Sequence, residues 1–297
     1  MSDATNKALL FIHALTGLHP GSGAALGVVD LPVQRERHTQ WPIIPGSTIK
    51  GILRDACRRR SDNNVFTLVG PETSDATAHA GALSFTDARI LAFPVRSLRG
   101  VFAWVTCPAV LSRLNRDLTL MGMGSLNDMP QLGKDQVCCA EDSPLLVQQS
   151  KMILEEFEFS RTADATAVAE WIATHAVSDA DTANRIKSHL AVLHDDDFTH
   201  FVRHATEVTA RIGLDYQRKT VKDGALFYEE FLPPETLFYA LVLAEDSRRP
   251  EDPKSASDVM EALQTVMPEL LQIGGDETIG KGLCAVRLNH AKEKNHE

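Results

Sequence analysis

IGGDETIGKGLCAVRL, residues 273–288, is the stretch on which the fold class turns. From Gly275 to Gly282 it runs close to the phosphate-binding loop of nucleotide hydrolases, where a Lys and then a Ser or Thr follow the last glycine. Here Gly282 stands where the magnesium-holding hydroxyl should be. Asp276 and Glu277 put negative charge where phosphates would sit, and only 15 residues follow Gly282 in a chain of 297. A doubly wound nucleotide-hydrolase domain cannot be built around a site so near the end. What remains is a glycine-rich loop opening a final strand, LCAVRL. Gly274, Gly275, Gly280 and Gly282 leave its backbone bare and Lys281 adds a positive charge, so a polyphosphate such as RNA can approach closely, although a tight turn of no chemical importance reads the same way.

Working back from that strand, Ser255 to Leu271 reads as a helix and ETLFYALVLA as a strand. Thr206 to Tyr216, a polar turn around Lys219–Gly224, and ALFYEEFL form a long hairpin. At the other end, ALLFIHAL (8–15) is a buried strand, and Gly17 to Gly46 is a glycine- and proline-rich loop. Ser47 then stands as the N-cap of TIKGILRDACRRR, whose Ile49, Ile52, Leu53 and Ala56 make an apolar stripe. Lys50, Arg54 and Arg58 recur every four residues on a separate face. Ser61 to His79 is polar, and no regular element is expected there. ALSFTDARILAF and GVFAWVTC read as strands, followed by a helix over about 109–120 and a loop over Met121–Lys134. VQQSKMILEEFEFS alternates as a strand does, and two or three helices follow between about Asp164 and His204. Strands interleave with helices but hairpins recur, so the class is α+β with a mainly antiparallel sheet.

Composition narrows the function. The chain is 43% hydrophobic and 24% charged, with a net charge of −10. That is ordinary for a globular protein large enough to bury a core, and no apolar run reaches the roughly 20 residues of a membrane span. The N-terminus lacks the basic region and cleavage site of a secretory leader. Five cysteines without metal-type spacing fit a reducing cytoplasm. The acidity looks contrary to nucleic-acid binding, yet it is local. Residues 135–200 carry 13 acidic against 4 basic side chains, whereas 33–60 carry 7 basic against 2 acidic. With a screening length of about 8 Å, a phosphate responds to the nearby patch rather than the distant total.

Three further candidates carry chemistry. His19-Pro-Gly-Ser-Gly-Ala-Ala-Leu-Gly-Val-Val-Asp30 sets an aspartate on a glycine-rich loop, flanked by His19 and Arg35, where it could orient magnesium or a reacting hydroxyl; a plain turn residue is the alternative. His200 and His204 share a helix face as metal ligands do, but no third ligand has the right spacing, and a solvated acidic helix start reads better. The hairpin interleaves Arg211, Tyr216, Arg218, Lys219, Lys222, Phe227 and Tyr228. Such a ribbon could wedge between bases and grip phosphates, though a plain surface hairpin would look similar. No serine or cysteine nucleophile motif is present.

Taken in series, HPGSGAALGVVDLPVQRERHTQWPIIPGSTIKGILR, LSFTDARILAFPVRSLRGVFAWVTCP, GALFYEEFLPPETLFYALV and IGGDETIGKGL resemble the backbone subunit of type III-B (Cmr) CRISPR effector complexes, within the repeat-associated mysterious protein (RAMP) superfamily. The resemblance implies a single domain over 1–297 with a ferredoxin-like, RNA-recognition-motif-like palm (about 7–134 and 205–290). It further implies an acidic helical insertion (about 135–204) and a protruding thumb hairpin (about 206–231). It implies copies stacked head to tail on a CRISPR guide RNA beside other Cmr subunits. Single-stranded target RNA paired to the guide is then cut at regular intervals with a divalent cation, magnesium. On that pattern Asp30 is the cutting and metal-holding residue, and His19, Glu229 and Glu230 line the same site. Ser47, Lys50, Arg54 and Arg58 on the helix, Arg218 and Lys219 on the thumb, and Gly274, Gly275, Gly280, Lys281 and Gly282 contact RNA. Phe231 stands where relatives often carry Tyr. The rival reading is a structural RNA-binding subunit without cutting activity.

Overall fold

The computed structural model describes residues 6–60, 62, 64–71, 79–126, 129–215, 217–218 and 220–290. The chain opens with β1 (Asn6–Ala14), β2 (Ile43–Ile44), α1 (Gly46–Arg59), α2 (Val65–Val69), β3 (Leu83–Phe85), β4 (Ala88–Arg96), β5 (Phe102–Thr106) and α3 (Pro108–Met121). Next come β6 (Gln136–Cys138), β7 (Leu146–Val147), β8 (Lys151–Leu154), β9 (Phe157–Ala163), α4 (Thr166–His175), α5 (Ala180–His189), β10 (Leu190–Leu193) and α6 (Asp195–His204). The hairpin β11 (Glu207–Leu214) and β12 (Val221–Phe231) precedes β13 (Leu237–Ala244), α7 (Ala256–Val266), β14 (Leu270–Gln272) and β15 (Leu283–His290).

Six of these elements make the palm. β1, α1, β4, β13, α7 and β15 follow one another as βαββαβ, and their strands lie in the order β15-β1-β13-β4, every neighbour antiparallel. That is the ferredoxin-like arrangement the resemblance implies. The run from Ala8 to Ala14 is buried throughout, because β1 sits between β13 and β15 with both faces covered. α1 buries Ile49, Leu53 and Cys57, residues four apart on one stripe. Its start differs from expectation. Pro45 rather than Ser47 is the N-cap, and the first amide, Gly46 N–H, donates to Asp87 Oδ1 at 2.8 Å. Only glycine fits at 46, since a Cβ there would lie 2.5 Å from the Phe85 carbonyl oxygen.

The connection between the palm strands β4 and β13 holds most of the remaining structure. The segment 135–204, expected to hold a strand and then two or three helices, carries three helices and five strands, β6 to β10. These extend the palm sheet rather than forming a separate layer: β10 pairs parallel with β5, and the order runs on through β6, β9, β8 and β7. Helix α4 packs back on the palm through Trp171 against Phe11 (6.1 Å), and Arg287 of β15 donates to the carbonyls of Thr174 and Val177. Two other departures are local. α2 occupies part of the segment expected to lack structure, and the helix expected to run to Leu271 stops at Val266. Pro268 disfavours helical geometry before it and β14 takes over. The β11–β12 hairpin pairs only with itself within strands, as a two-stranded ribbon.

Candidate active site

The site is built where the loop after β1 crosses the foot of the hairpin. Leu18 and Leu232 exchange backbone hydrogen bonds of 2.9 and 2.8 Å. Further along, the amides of Asp30 and Leu31 both donate to the Tyr228 carbonyl at 3.1 and 3.0 Å, and Glu230 N–H returns a bond to the Leu31 carbonyl at 3.0 Å. The loop thus behaves as a third strand along β12. Asp30 fixes itself there, since its Oδ2 accepts the Tyr228 amide at 2.7 Å. Leu26 and Val28, on the tip just before it, are fully exposed.

Neighbours on a strand face opposite ways, so Glu229 and Glu230 serve two different networks although both are buried. Glu230 Oε1 accepts from Arg35 Nη2 at 2.6 Å and from Thr206 Oγ1 at 2.9 Å, and Oε2 accepts the Val33 amide at 2.9 Å. Its carboxylate is fully engaged in clamping the Asp30 loop to the hairpin. Arg35 also donates to the Val202 carbonyl, which ties the end of α6 into the same clamp. Glu229 Oε2 takes Arg211 Nη1 at 2.5 Å, and its Oε1 lies 3.6 Å from His19 Nε2. The same Arg211 nitrogen also donates to Asp276 of the glycine-rich loop. These carboxylates, Asp276 first, raise the guanidinium further above its ordinary value.

His19 is buried, and its ring nitrogens are distinguishable. Nδ1 lies 2.7 Å from the Glu230 carbonyl oxygen, which can only accept, so Nδ1 carries a proton. Nε2 is left facing Glu229 and Gly21, where a Cβ on residue 21 would sit 2.7 Å from it. Phe231 packs beside the imidazole at 5.7 Å between ring centroids, and Lys281 Nζ lies 4.6 Å over the Phe231 ring. The missing hydroxyl at 231 therefore leaves an apolar platform shared by His19 and Lys281.

The glycine-rich loop closes the site from the other side. Gly275 N–H donates to the His19 carbonyl at 3.1 Å and Gly282 N–H to that of Gly17 at 2.8 Å. The backbones touch so closely that a Cβ on Gly274 would fall 2.2 Å from the His19 oxygen. Both loop carboxylates that spoiled the nucleotide-hydrolase reading are neutralised from elsewhere: Asp276 by Arg211, and Glu277 by Arg59 of α1 at 3.5 Å.

The structure thus gathers His19, Asp30, Glu229, Glu230 and the Gly274–Gly282 loop at one place. The basic residues of α1 divide. Ser47 is exposed on the first turn and Lys50 half-buried, but Arg54 turns inward, donating from Nη2 to the Val69 carbonyl at 2.9 Å while its Nη1 is buried without a partner. Arg58 is exposed on the last turn of α1. Arg218 sits at the far tip of the hairpin, its amide bonded to Asp215, and Lys219 lies outside the described residues. The sequence shows Arg211 only as one residue of a hairpin that could grip RNA or be a plain surface ribbon, and does not show Asp276, Thr206 and Arg59 as partners. No local pattern points to them, because each acts on a group far along the chain. Among the described residues no three His, Cys, Asp or Glu side chains converge as a metal cage, so His200 and His204 stand as a pair. A single outward carboxylate such as Asp30 does suit magnesium, which keeps most of its water and takes other ligands from phosphates.

Comparison with known proteins places the fold. The RAMP superfamily profile matches residues 11–285. The CRISPR system Cmr endoribonuclease Cmr4 of Pyrococcus furiosus is 39% identical over 287 residues, covering 94% of this chain and 95% of that one. The crystal structure of oligomeric Cmr4 from Pyrococcus furiosus aligns with a TM-score of 0.72 at 32% identity, over 96% of this chain and 98% of the other. A chain of the type III-B Cmr-beta bound to cognate target RNA shares the fold, with a TM-score of 0.74 at 22% identity over 95% and 96% of the two chains. With a profile spanning nearly its full length and a relative this similar on the same fold, the chain belongs to the RAMP superfamily.

Proposed function

We propose that this chain is the guide-RNA-binding backbone subunit of a type III-B CRISPR effector complex, and that it cuts paired target RNA at Asp30. The observation that carries the reading is the anchoring of Asp30 at the foot of the thumb, beside the His19–Glu229 pair and a bare glycine loop. Copies stack head to tail with other Cmr subunits along the guide, a role in keeping with the solved relatives. Among the described residues no helix is long and apolar enough to cross a membrane. Five free, buried thiols support a cytoplasmic setting.

Cutting by in-line attack of a 2′-hydroxyl requires a nucleotide splayed out of the paired helix, which A-form geometry disfavours. A hairpin that displaces one nucleotide supplies the alignment, and alignment is a large share of such a barrier. His19 has its Nδ1 proton committed to a carbonyl, so in the neutral ring Nε2 is the atom that accepts the proton as the 2′-oxygen bonds to phosphorus; the P–O5′ bond breaks, leaving a 2′,3′-cyclic phosphate, and the departing 5′-oxygen takes a proton from water. Glu229 beside it stabilises the imidazolium that results, and Arg211 holds Glu229 there. Asp30 would hold a magnesium ion, which when bound would supply positive charge to the phosphate being cut. Glu230 contributes by clamping the loop and touches no reacting atom.

The test is Asp30→Ala in the reconstituted complex. Guide and target binding should persist while the evenly spaced target cuts disappear, and chelation of the divalent cation should erase them in the parent complex. Unchanged cuts in the variant would leave the scaffold reading, in which Asp30 serves only to pin the loop to Tyr228.

A further inference from the structure

A second concavity adjoins the clamp. Glu155, Glu156, Phe157, His200, Phe201, His204, Ala205 and Thr206 enclose an open pocket of about 340 Å³ between the β8–β9 turn and the end of α6. Its wall is a cluster of flat rings. Phe157 meets His200 edge-on at 5.0 Å and Phe201 at 5.7 Å, and His200 lies 4.7 Å from His204. His200 and His204 are exposed, and Phe157 keeps 36% of its surface open. Thr206, on the rim, donates to Glu230, and the Val202 carbonyl of the adjoining α6 turn takes Arg35, so the pocket shares residues with the clamp that positions Asp30.

We infer that this pocket receives a nucleobase splayed from the target strand beside the cut, stacked against Phe157 and the two histidines. The inference rests on the cutting function proposed above. The chemistry favours a base over a phosphate or a metal. Flat aromatic and imidazole faces are what unstacked RNA bases pack against. The mouth carries charge of both signs, with Glu155 paired with Arg96 at 2.8 Å, Glu156 exposed and Arg203 exposed on the adjoining turn of α6, so the flat aromatic wall rather than net charge selects the occupant. Burial, with His200, Arg203 and Arg35 nearby, lowers His204 below the ordinary imidazole value, so the ring is neutral and both donates and accepts. No third ligand joins the histidines among the described residues, which removes the metal alternative. An exposed carboxylate at the rim accepts from an exocyclic amine, so adenine or cytosine at the splayed position is preferred to uracil.

The experiment places 2-aminopurine at the displaced target position in the reconstituted complex, with Asp30→Ala present so that the strand stays whole. Stacking in the pocket should quench emission relative to the free, unstacked base. The added pair Phe157→Leu and His200→Ala, both on exposed side chains, should restore it with guide binding unchanged. In the cutting-competent complex the same pair should raise KM for target about tenfold, the worth of one stacked base. Emission that is identical with and without the pocket substitutions overturns the pocket, even where Asp30-dependent cutting stands. Loss of the cutting reading shows separately, as cuts that survive Asp30→Ala.

Discussion

Arg211 is the residue on which three parts of the site meet. One guanidinium nitrogen reaches Glu229 of the hairpin and Asp276 of the glycine loop, and Glu229 in turn faces His19. A lysine ammonium keeps the charge, but its shorter side chain ends short of the position Nη1 occupies, so it cannot meet both carboxylates in this geometry. Arg211→Lys should therefore bind guide and target normally and cut more slowly. Losing one charge-assisted hydrogen bond is worth about 1.5–3 kcal/mol, which is a rate loss between about tenfold and a hundredfold. Single-turnover cutting by the reconstituted complex measures it, and an unaltered rate would show that Glu229 is held by other means. The sequence showed the acidic pair Glu229–Glu230 and the period-2 rule that splits it across two faces. It could not show the partners, because Arg35 lies 195 residues from Glu230 and Asp276 lies 65 from Arg211.

At the scale of elements, the glycine-rich loop separates two uses of the same residue type. Gly274 has φ +82° and its Cβ position collides with the His19 backbone, whereas Gly280 has φ +78° and nothing within 4 Å. Gly280→Ala should cost only the left-handed strain of about 1–2 kcal/mol and leave cutting intact. Gly274→Ala must in addition push His19 or the loop aside, so it should lose both more stability and most of the cutting. Urea unfolding together with cut rates distinguishes them; equal effects of the two substitutions would mean the loop does not position His19. Elements with a strong local period were legible: β1, α1, α3 and β13 follow from their apolar patterns. Among those that escaped were α2, a helix of five residues in a polar setting, and β14, two of whose three residues were read as the end of α7. Short elements lack a full period, and tertiary pairing alone decides them. The cap of α1 failed for a related reason: Asp87, 41 residues away, supplies the acceptor that Ser47 was expected to provide.

Across the whole molecule the charge imbalance acquires a direction. The sheet runs from β14 and β15, beside α1 and the glycine loop, to the strands β6, β9, β8 and β7 of the acidic segment at its opposite end. The strands of the acidic segment thus lie at the opposite end of the sheet from the basic helix, although α4 of the same segment packs back on β1 and β15, which no periodicity could have revealed. Burial of the thiols is the other global property with a measurable consequence. All five cysteines are free and buried, and burial pushes each thiol above its ordinary value of 9.0. Cys139 is raised to about 11, Cys284 to about 12, and Cys107 well above normal. Tyr239 shifts the same way, through burial and then the adjacent Asp117. Raised values in the fold mean that the unfolded chain gives up these protons first. The resulting stability is complete below pH 9 and is lost progressively as pH climbs toward 11 to 12. Each such group weighs about 1.4 kcal/mol per pH unit once past its unfolded value, so Cys139 and Cys284 alone remove about 3 kcal/mol by pH 10. That is a large part of the about 5–15 kcal/mol by which domains are stable. Urea unfolding under reductant at pH 7, 9 and 10 should show little change over the first interval and a steep fall over the second. Cys284→Ala, whatever it costs at pH 7, should shrink the fall between pH 9 and 10 by about 1 kcal/mol. Equal stability at pH 7 and 10 would mean that the thiols ionise in the fold as readily as in the open chain, and that the core around them admits water.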